Sequence, residues 1–227
     1  MISIIIPTYN EEKNIRDFIY DLYCLYDIKK HEVIFIDGGS SDKTLDILKE
    51  LSYFGYHYEV STKKGRANQM NYGASLASGD TLWFVHADST INKDALLKID
   101  FYNYDIGCLK IRFHPSNFAI YFNSLMSTQR VLQDNIAFGD QGIFVKREIF
   151  EKIGGYKDMP IMEDYRFSED ITKLGYKFKV LDCYITTSSR RYKGKTLRTM
   201  YQMQTLQKWY RQGVPIEEIN KRYKDVR

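Results

Sequence analysis

Short apolar runs alternate with helical patterns over the first 90 residues, and this alternation limits the fold more than any other feature of the chain. Residues 3–6, Ser3-Ile4-Ile5-Ile6, are closed by Pro7 and read as a strand buried on both faces. Asn10 follows as a helix cap, with Glu11 and Glu12 suited to the positive end of a helix. Ile15, Phe18, Ile19, Leu22 and Leu25 then recur at helical spacing. Residues 33–36 are a second strand ending at Asp37, and residues 38–42 lead into a helix carrying Leu45, Leu48 and Leu51. Residues 56–61 form a third strand, residues 67–77 a further helix, and residues 82–85 a fourth strand ending at His86-Ala87-Asp88. Such repetition predicts an α/β fold with a mostly parallel central sheet and helices on both faces. Ligands of such sheets bind outside the carboxyl ends of the strands. Those ends carry Thr8, Asp37, Lys64-Gly65-Arg66 and Asp88, where acid and base converge.

The second half is less regular. Strands are expected over residues 106–113, 142–145 and 178–181, with helices over 116–134, 164–174, 196–212 and 216–223. No linker, repeat or low-complexity segment interrupts the chain. The expectation is one domain over 1–227, with a nucleotide-binding half (1–100) and an acceptor half with a basic helical tail (101–227).

Charge narrows the partners. The formal net charge is +4, yet residues 190–227 hold 11 basic and three acidic side chains, a local balance of +8, which leaves −4 for the first 189. An anionic partner near the tail is expected, whether nucleic acid, an anionic membrane or a phosphorylated substrate. The acidic body and the lack of a recognised binding motif argue against nucleic acid. Residues 1–7 lack the basic start and long apolar stretch of a signal peptide, and no run approaches the roughly 18 apolar residues of a spanning helix. Cys24, Cys108 and Cys183 lie far apart without metal-ligand spacing and read as free thiols of a reducing compartment. A cytoplasmic protein is expected, with any membrane contact peripheral and at the inner face. Pro7-Thr8-Tyr9-Asn10 stands where a Rossmann dehydrogenase needs GxGxxG.

Pro7-Thr8-Tyr9-Asn10-Glu11-Glu12, Phe35-Ile36-Asp37-Gly38-Gly39-Ser40-Ser41-Asp42 and His86-Ala87-Asp88 together resemble family 2 glycosyltransferases of GT-A fold. Gly65-Arg66-Ala67-Asn68-Gln69-Met70-Asn71, Gly139-Asp140-Gln141-Gly142, Met162-Glu163-Asp164, Ser188-Ser189-Arg190-Arg191-Tyr192 and Tyr210-Arg211-Gln212-Gly213-Val214 are similar to one branch, selenodomain-associated transferase 2, also labelled arsenosugar biosynthesis glycosyltransferase. Each motif alone is weak; their order along nearly the whole chain is specific.

The resemblance implies an inverting transfer from a nucleotide-diphosphate sugar, a UDP-sugar, to an acceptor hydroxyl. Asp37 would accept the N–H of the donor's base, with Pro7, Thr8, Tyr9, Glu11, Gly39 and Ala87 lining the nucleotide; its plainer reading is a cap on the following turn. Arg66, at a helix start, and Gln69 would also face the nucleotide, since backbone N–H groups and a guanidinium meet phosphate oxygens well. Asp88 takes the place of the last acid of a DxD metal motif, with His86 where many relatives have Asp. Its hard oxygen suits Mg²⁺ or Mn²⁺. Asp164 is implied as general base with Glu163 assisting, against the plainer reading of an acidic helix start. Asp140 and Gln141 would contact donor sugar or acceptor. Arg190, Arg191 and Lys193, with Lys195 beyond, form a basic loop fit to close over a diphosphate, or a solvated charge run.

Leu197, Met200, Tyr201, Leu206, Trp209 and Tyr210 make an apolar stripe in the tail, read first as core and second as a homodimer face or peripheral membrane contact. The alternative functions are a polyprenyl-phosphate sugar synthase at the membrane surface and a catalytically silent nucleotide-sugar-binding protein.

Overall fold

Isoleucines point to both sides of strand β1 (Ile2–Thr8), and a layer of helices grows on each side of it. Ile4 and Ile6 pack with Ile15, Phe18, Ile19 and Leu22, while Ile5 packs with Met70 and Ala74, as the two-residue period of a strand requires. The computed structural model describes residues 1–224; residues 225–227, the end of the basic tail, lie outside the described residues.

The chain runs on through α1 (Ile15–Tyr23), β2 (Glu32–Asp37), α2 (Thr44–Glu50), β3 (His57–Val60), α3 (Arg66–Leu76), β4 (Thr81–Phe84), β5 (Ser89–Ile91) and α4 (Ala95–Tyr102). Then follow β6 (Ile106–His114), α5 (Phe118–Asp134), β7 (Phe144–Lys146), α6 (Arg147–Lys152), α7 (Glu163–Lys173), β8 (Lys179–Ser188), α8 (Thr196–Arg211) and α9 (Ile216–Lys224). One eight-stranded sheet has the order β3-β2-β1-β4-β7-β6-β8-β5. Its core is split by the sheet, with α1, α2 and α4 on one face and α3, α6 and α7 on the other.

The sheet is mixed. β1, β2, β3 and β4 are parallel, as are β6 and β8, but β7 runs antiparallel between β4 and β6, and β5 antiparallel to β8. That reversal matters for the site. Because β7 opposes its neighbours, the segment entering it, Gly139–Gln141, lies at the edge where β1, β2 and β4 end. Strand order also reverses between β1 and β4, which opens a crevice at the carboxyl ends of both.

Four expectations need correction. Asn10 caps no helix: it adopts a left-handed conformation (φ 54°) and α1 begins five residues later, because residues 9–12 fold back onto the loop after β2. β5, α4 and α6 have no counterpart in the sequence reading. β8 continues seven residues past Leu181 across an irregularity, with Leu109 opposite Leu181 but Lys110 opposite Tyr184, so polar Asp182 interrupts the pattern without ending the strand. The tail stripe is divided: Leu206, Trp209 and Tyr210 pack with Ile161, Met162 and Tyr165, whereas Leu197 and Tyr201 are exposed.

Candidate active site

The loops after β1 and β2 lock together before any ligand is considered. Asn10 N donates to Ser40 Oγ (2.8 Å), Glu11 N to Thr44 Oγ1 (2.8 Å) and Glu12 N to Asp42 Oδ2 (3.1 Å). In return Ser41 N donates to Asn10 Oδ1 (2.9 Å) and Lys43 N to Glu12 Oε2 (3.2 Å). Asp37 is fully buried: Oδ1 accepts from Gly39 N (2.8 Å) and Ser40 N (2.7 Å), and Oδ2 from Ser40 Oγ (2.5 Å). The turn-capping role of Asp37 is therefore realised, and about one of its four acceptor positions remains for another N–H. Gly39 holds a left-handed φ of 84° that the turn needs.

Gln69 sits behind this floor rather than on it. Buried at the second turn of α3, its Nε2 donates to Thr8 O (2.7 Å) and Ile36 O (2.8 Å), which ties the ends of β1 and β2 and uses both amide protons. Thr8 is buried as well, as is Ala87, whereas Tyr9 offers an exposed ring. Pro7 continues β1 beside Ile36. Glu11 is held by Asn14 Nδ2 (2.7 Å); burial raises its pKa, opposed by that bond and assisted by Asp88.

A second cluster stands across the crevice. Glu163 and Asp164 open α7 and are nearly inaccessible to solvent. The guanidinium of Arg66, first residue of α3, pairs with Glu163 through Nε and approaches Asp164 Oδ2 at 3.6 Å through Nη2. Arg66 thus meets both carboxylates while 41% of its side chain stays open to solvent. Desolvation opposes its charge, but Glu163 and Asp164 outweigh that and hold its pKa above the usual arginine range.

Asp164 Oδ2 also accepts from Gly139 N (2.9 Å), and Oδ1 from Tyr165 N (2.8 Å). Burial, with the like charge of Glu163, lifts Asp164 to a pKa of about 6 against the pull of Arg66 and the Gly139 N–H. Asp140 follows next, its pKa raised by burial and restrained by Arg130, Arg191 and Arg66. Gln141 is wholly buried; its Oε1 accepts from Arg130 Nη2 (3.1 Å) and Phe138 N (3.2 Å).

Asp88 joins the two clusters. It is partly exposed and stands 3.7 Å from Arg190 Nη2, so the basic loop already reaches the metal-motif position. Arg191 donates to Tyr223 Oη (3.1 Å), and Lys193 is exposed beside them. His86 Nε2 is buried without a partner, and desolvation, aided by Arg66 and Arg191, lowers the ring's pKa to about 3. Among the described residues no group of three or more His, Cys, Asp or Glu side chains is arranged to hold a metal ion.

The fold therefore brings together Arg66, Glu163, Asp164, Asp140, Asp88 and Arg190, and places Tyr9, Glu11, Asp37 and Gly39 at the adjacent strand ends. Gln69 and Gln141 support from behind. Three residues of this neighbourhood escaped the sequence reading: Arg130, which bears on Asp140 and Gln141; Tyr156, a buried hydroxyl without a partner whose pKa is raised by burial and then by Asp164 and Glu163; and Tyr223. No motif marks Arg130 or Tyr223, while Gly154-Gly155 before Tyr156 signals only a turn.

Comparisons with known proteins bear on the family and the fold. The signature described as Glycosyl transferase family 2 matches residues 3–154. A probable glycosyltransferase, YdaM of Bacillus subtilis, is 27% identical over 208 residues, covering 82% of this chain and 50% of its own. A mannosyltransferase of Pyrobaculum calidifontis, solved with GDP-Man and Mn²⁺, superposes with a TM-score of 0.72 at 21% identity over 92% of this chain and 63% of its own. TarS 1–349 of S. aureus, solved with UDP-GlcNAc, gives 0.65 at 21% identity over 83% of this chain and 58% of its own. The chain thus spans about half the length of the Bacillus relative and under two thirds of each solved chain. The structural likenesses show the GT-A fold. With its family signature over most of the sequence and that fold around it, this chain belongs to glycosyl transferase family 2.

Proposed function

We propose that this chain transfers a sugar, with inversion, from a nucleotide-diphosphate donor to an acceptor hydroxyl, with Asp164 as general base. The carrying observation is the placement of Asp164: buried, lifted to about 6, fixed by the Gly139 N–H and adjoining Asp140 at the strand-end crevice. A base poised near neutrality suits proton removal from a hydroxyl. The acceptor's proton passes to an Asp164 carboxylate oxygen as the acceptor oxygen bonds to the anomeric carbon. In the same step the bond from that carbon to the diphosphate breaks on the opposite face, and the leaving group carries away its electron pair. Arg190, Arg191 and Lys193 would meet the resulting charge, a reading supported by the approach of Arg190 to Asp88, and Glu163 holds Arg66 beside the base.

The nucleotide reading rests on Tyr9, Glu11, Asp37 and Gly39 at the ends of β1 and β2. A uracil base is proposed, its N–H donating to Asp37 Oδ2 in place of the Ser40 hydroxyl. The UDP-GlcNAc in the TarS structure is in line with this, while the GDP-Man of the Pyrobaculum structure makes guanine the comparison to run. The ordered motifs from Gly65 to Val214 support the selenodomain-associated branch.

The donor set fits a metal held mainly by its substrate. Asp88 offers one hard oxygen, and Mg²⁺ or Mn²⁺ commonly binds through one or two carboxylates with phosphate and water completing its shell. Such an ion would neutralise the diphosphate beside Asp88. Asp88→Ala is expected to abolish the extra thermal stabilisation that Mn²⁺ gives with UDP; an unchanged metal response would place the ion elsewhere.

Asp164→Asn tests the central assignment. Turnover of a nucleotide-sugar panel should fall by about 10³-fold or more, with UDP binding by calorimetry retained. Loss of binding would make Asp164 structural. The silent-binder reading has one observation in its favour, the pairing of both acids with Arg66; it predicts UDP binding with no hydrolysis or transfer for any donor.

A further inference from the structure

α5 is built inside out. Its buried face is Ile120, Ser124, Ser127 and Val131, where the two serine hydroxyls bond back to Ile120 O (3.2 Å) and Asn123 O (2.9 Å). Its outer face carries Phe118, Tyr121, Phe122, Leu125 and Leu132, with Phe118 86% and Leu132 62% exposed. Phe118, Tyr121, Phe122 and Leu125 share one side at 100° per residue, so an aromatic and aliphatic row about 10 Å long faces outward, with Leu132 on the same side beyond Gln129. A core-facing helix shows the opposite arrangement, and a continuous row of this kind marks an interaction surface.

The start of α8 stands beside α5. Tyr192 is buried with Ile111, Phe113 and Ile120, and Asn123 Nδ2 donates to Tyr192 Oη (3.3 Å), so the basic loop and the start of α8 are pinned beside α5. There Leu197 and Tyr201 are 72% and 75% exposed. Lys193, Lys195 and Arg198 are exposed around them. No Asp or Glu occurs from Ile106 to Gln133 or from Cys183 to Ile216, so the segments forming this face carry only positive formal charge.

We propose that the outer face of α5, with the start of α8 beside it, docks on an anionic lipid bilayer. Aromatic and aliphatic side chains partition into the boundary between headgroups and acyl chains, and lysines and arginines beside them pair with anionic headgroups. A second copy of the chain suits the face less well, because symmetric contact would bring Lys193, Lys195 and Arg198 towards their own counterparts. Among the described residues no helix is long and apolar enough to cross a membrane, so the contact is a surface one. It differs from the expected tail stripe, half of which is core, and it shares only Lys193 with the catalytic reading.

The test is co-sedimentation of the full chain with vesicles of phosphatidylcholine alone or mixed with phosphatidylglycerol, at low and high salt, with sedimentation velocity in the same buffers. Binding to the phosphatidylglycerol vesicles at low salt is expected, weakened by salt, by Arg198→Glu and by omission of the anionic lipid. Phe118→Ser/Phe122→Ser should lower the bound fraction roughly tenfold without moving the melting temperature, since both side chains are exposed. Absence of binding to anionic vesicles overturns the proposal, as does binding that the double variant retains. A lipid-free dimer that the double variant dissociates would also overturn it and assign the face to a second copy.

Discussion

At the scale of single residues, the site is governed by how Arg66 divides its charge between two buried acids. Asp164 titrates at about 6, well above the usual aspartate value near 4. Between these values the folded protein holds a proton that the unfolded chain has lost. The contribution of Asp164 to stability therefore falls as pH rises through that window and is level above it. Asp164→Asn removes this cost, so thermal unfolding should show a gain on the order of 1–3 kcal/mol near neutral pH that vanishes near pH 4. With Asp164 as the proposed base, kcat/KM should rise as pH passes about 6. Arg66→Ala takes away the nearest cation, and the acid limb should move up by about one pH unit. A limb left in place would show that Arg66 does not tune the base. Residue types were legible here: Asp37, Asp88, Glu163 and Asp164 were all marked in the sequence as acids at strand or helix ends. Their partners were not, because the pairing of Arg66 with Glu163 joins residues 97 positions apart.

At the scale of elements, local periodicity identified the parallel half well and the other half less well. β1, β2 and β4 are apolar runs between turns because both faces are covered, and no competing pattern exists for such a run. β5 is three residues long, too short for any period to register, and depends on its pairing with β8; β7 is equally short, but its apolar run reads as a strand over 142–145 and is found at Phe144–Lys146. The sequence also hides why α3 is thin on one side. Gly73 lies against the sheet, and a Cβ there would stand 2.5 Å from Ile5 Cγ2 and 3.1 Å from Ile36 Cγ1. Gly73→Ala should therefore cost about 1–3 kcal/mol in denaturant unfolding despite the better helix propensity of alanine. Because α3 carries Arg66 at its start and Gln69 one turn on, the variant should also weaken nucleotide binding. A stabilised Gly73→Ala protein would show that the helix can move away from β1 freely.

At the scale of the whole molecule, the C-terminal helices complete the site from outside the sheet. Ile219 of α9 is fully buried with Leu206 of α8 and with Ile161, Met162 and Tyr165, which flank the two acids in sequence. Ile219→Ala should cost about 2–4 kcal/mol and lower turnover more than nucleotide affinity, a split that steady-state kinetics and calorimetry would resolve. Equal loss of both would mean that α9 supports the whole crevice rather than the acid pair. The sequence by itself determined the layered α/β architecture, the order of the strand-end acids and the basic bias of the last 38 residues. Those properties are written in local period and composition. Only the tertiary structure decided that β7 runs antiparallel and delivers Gly139 and Asp140 to the crevice, that Gln69 and Gln141 support rather than face it, and that α5 turns its aromatic side outward. Each of these is a relation between segments distant in the chain. Helical spacing shows that the large apolar residues of α5 share a face, but not whether that face meets a sheet or water.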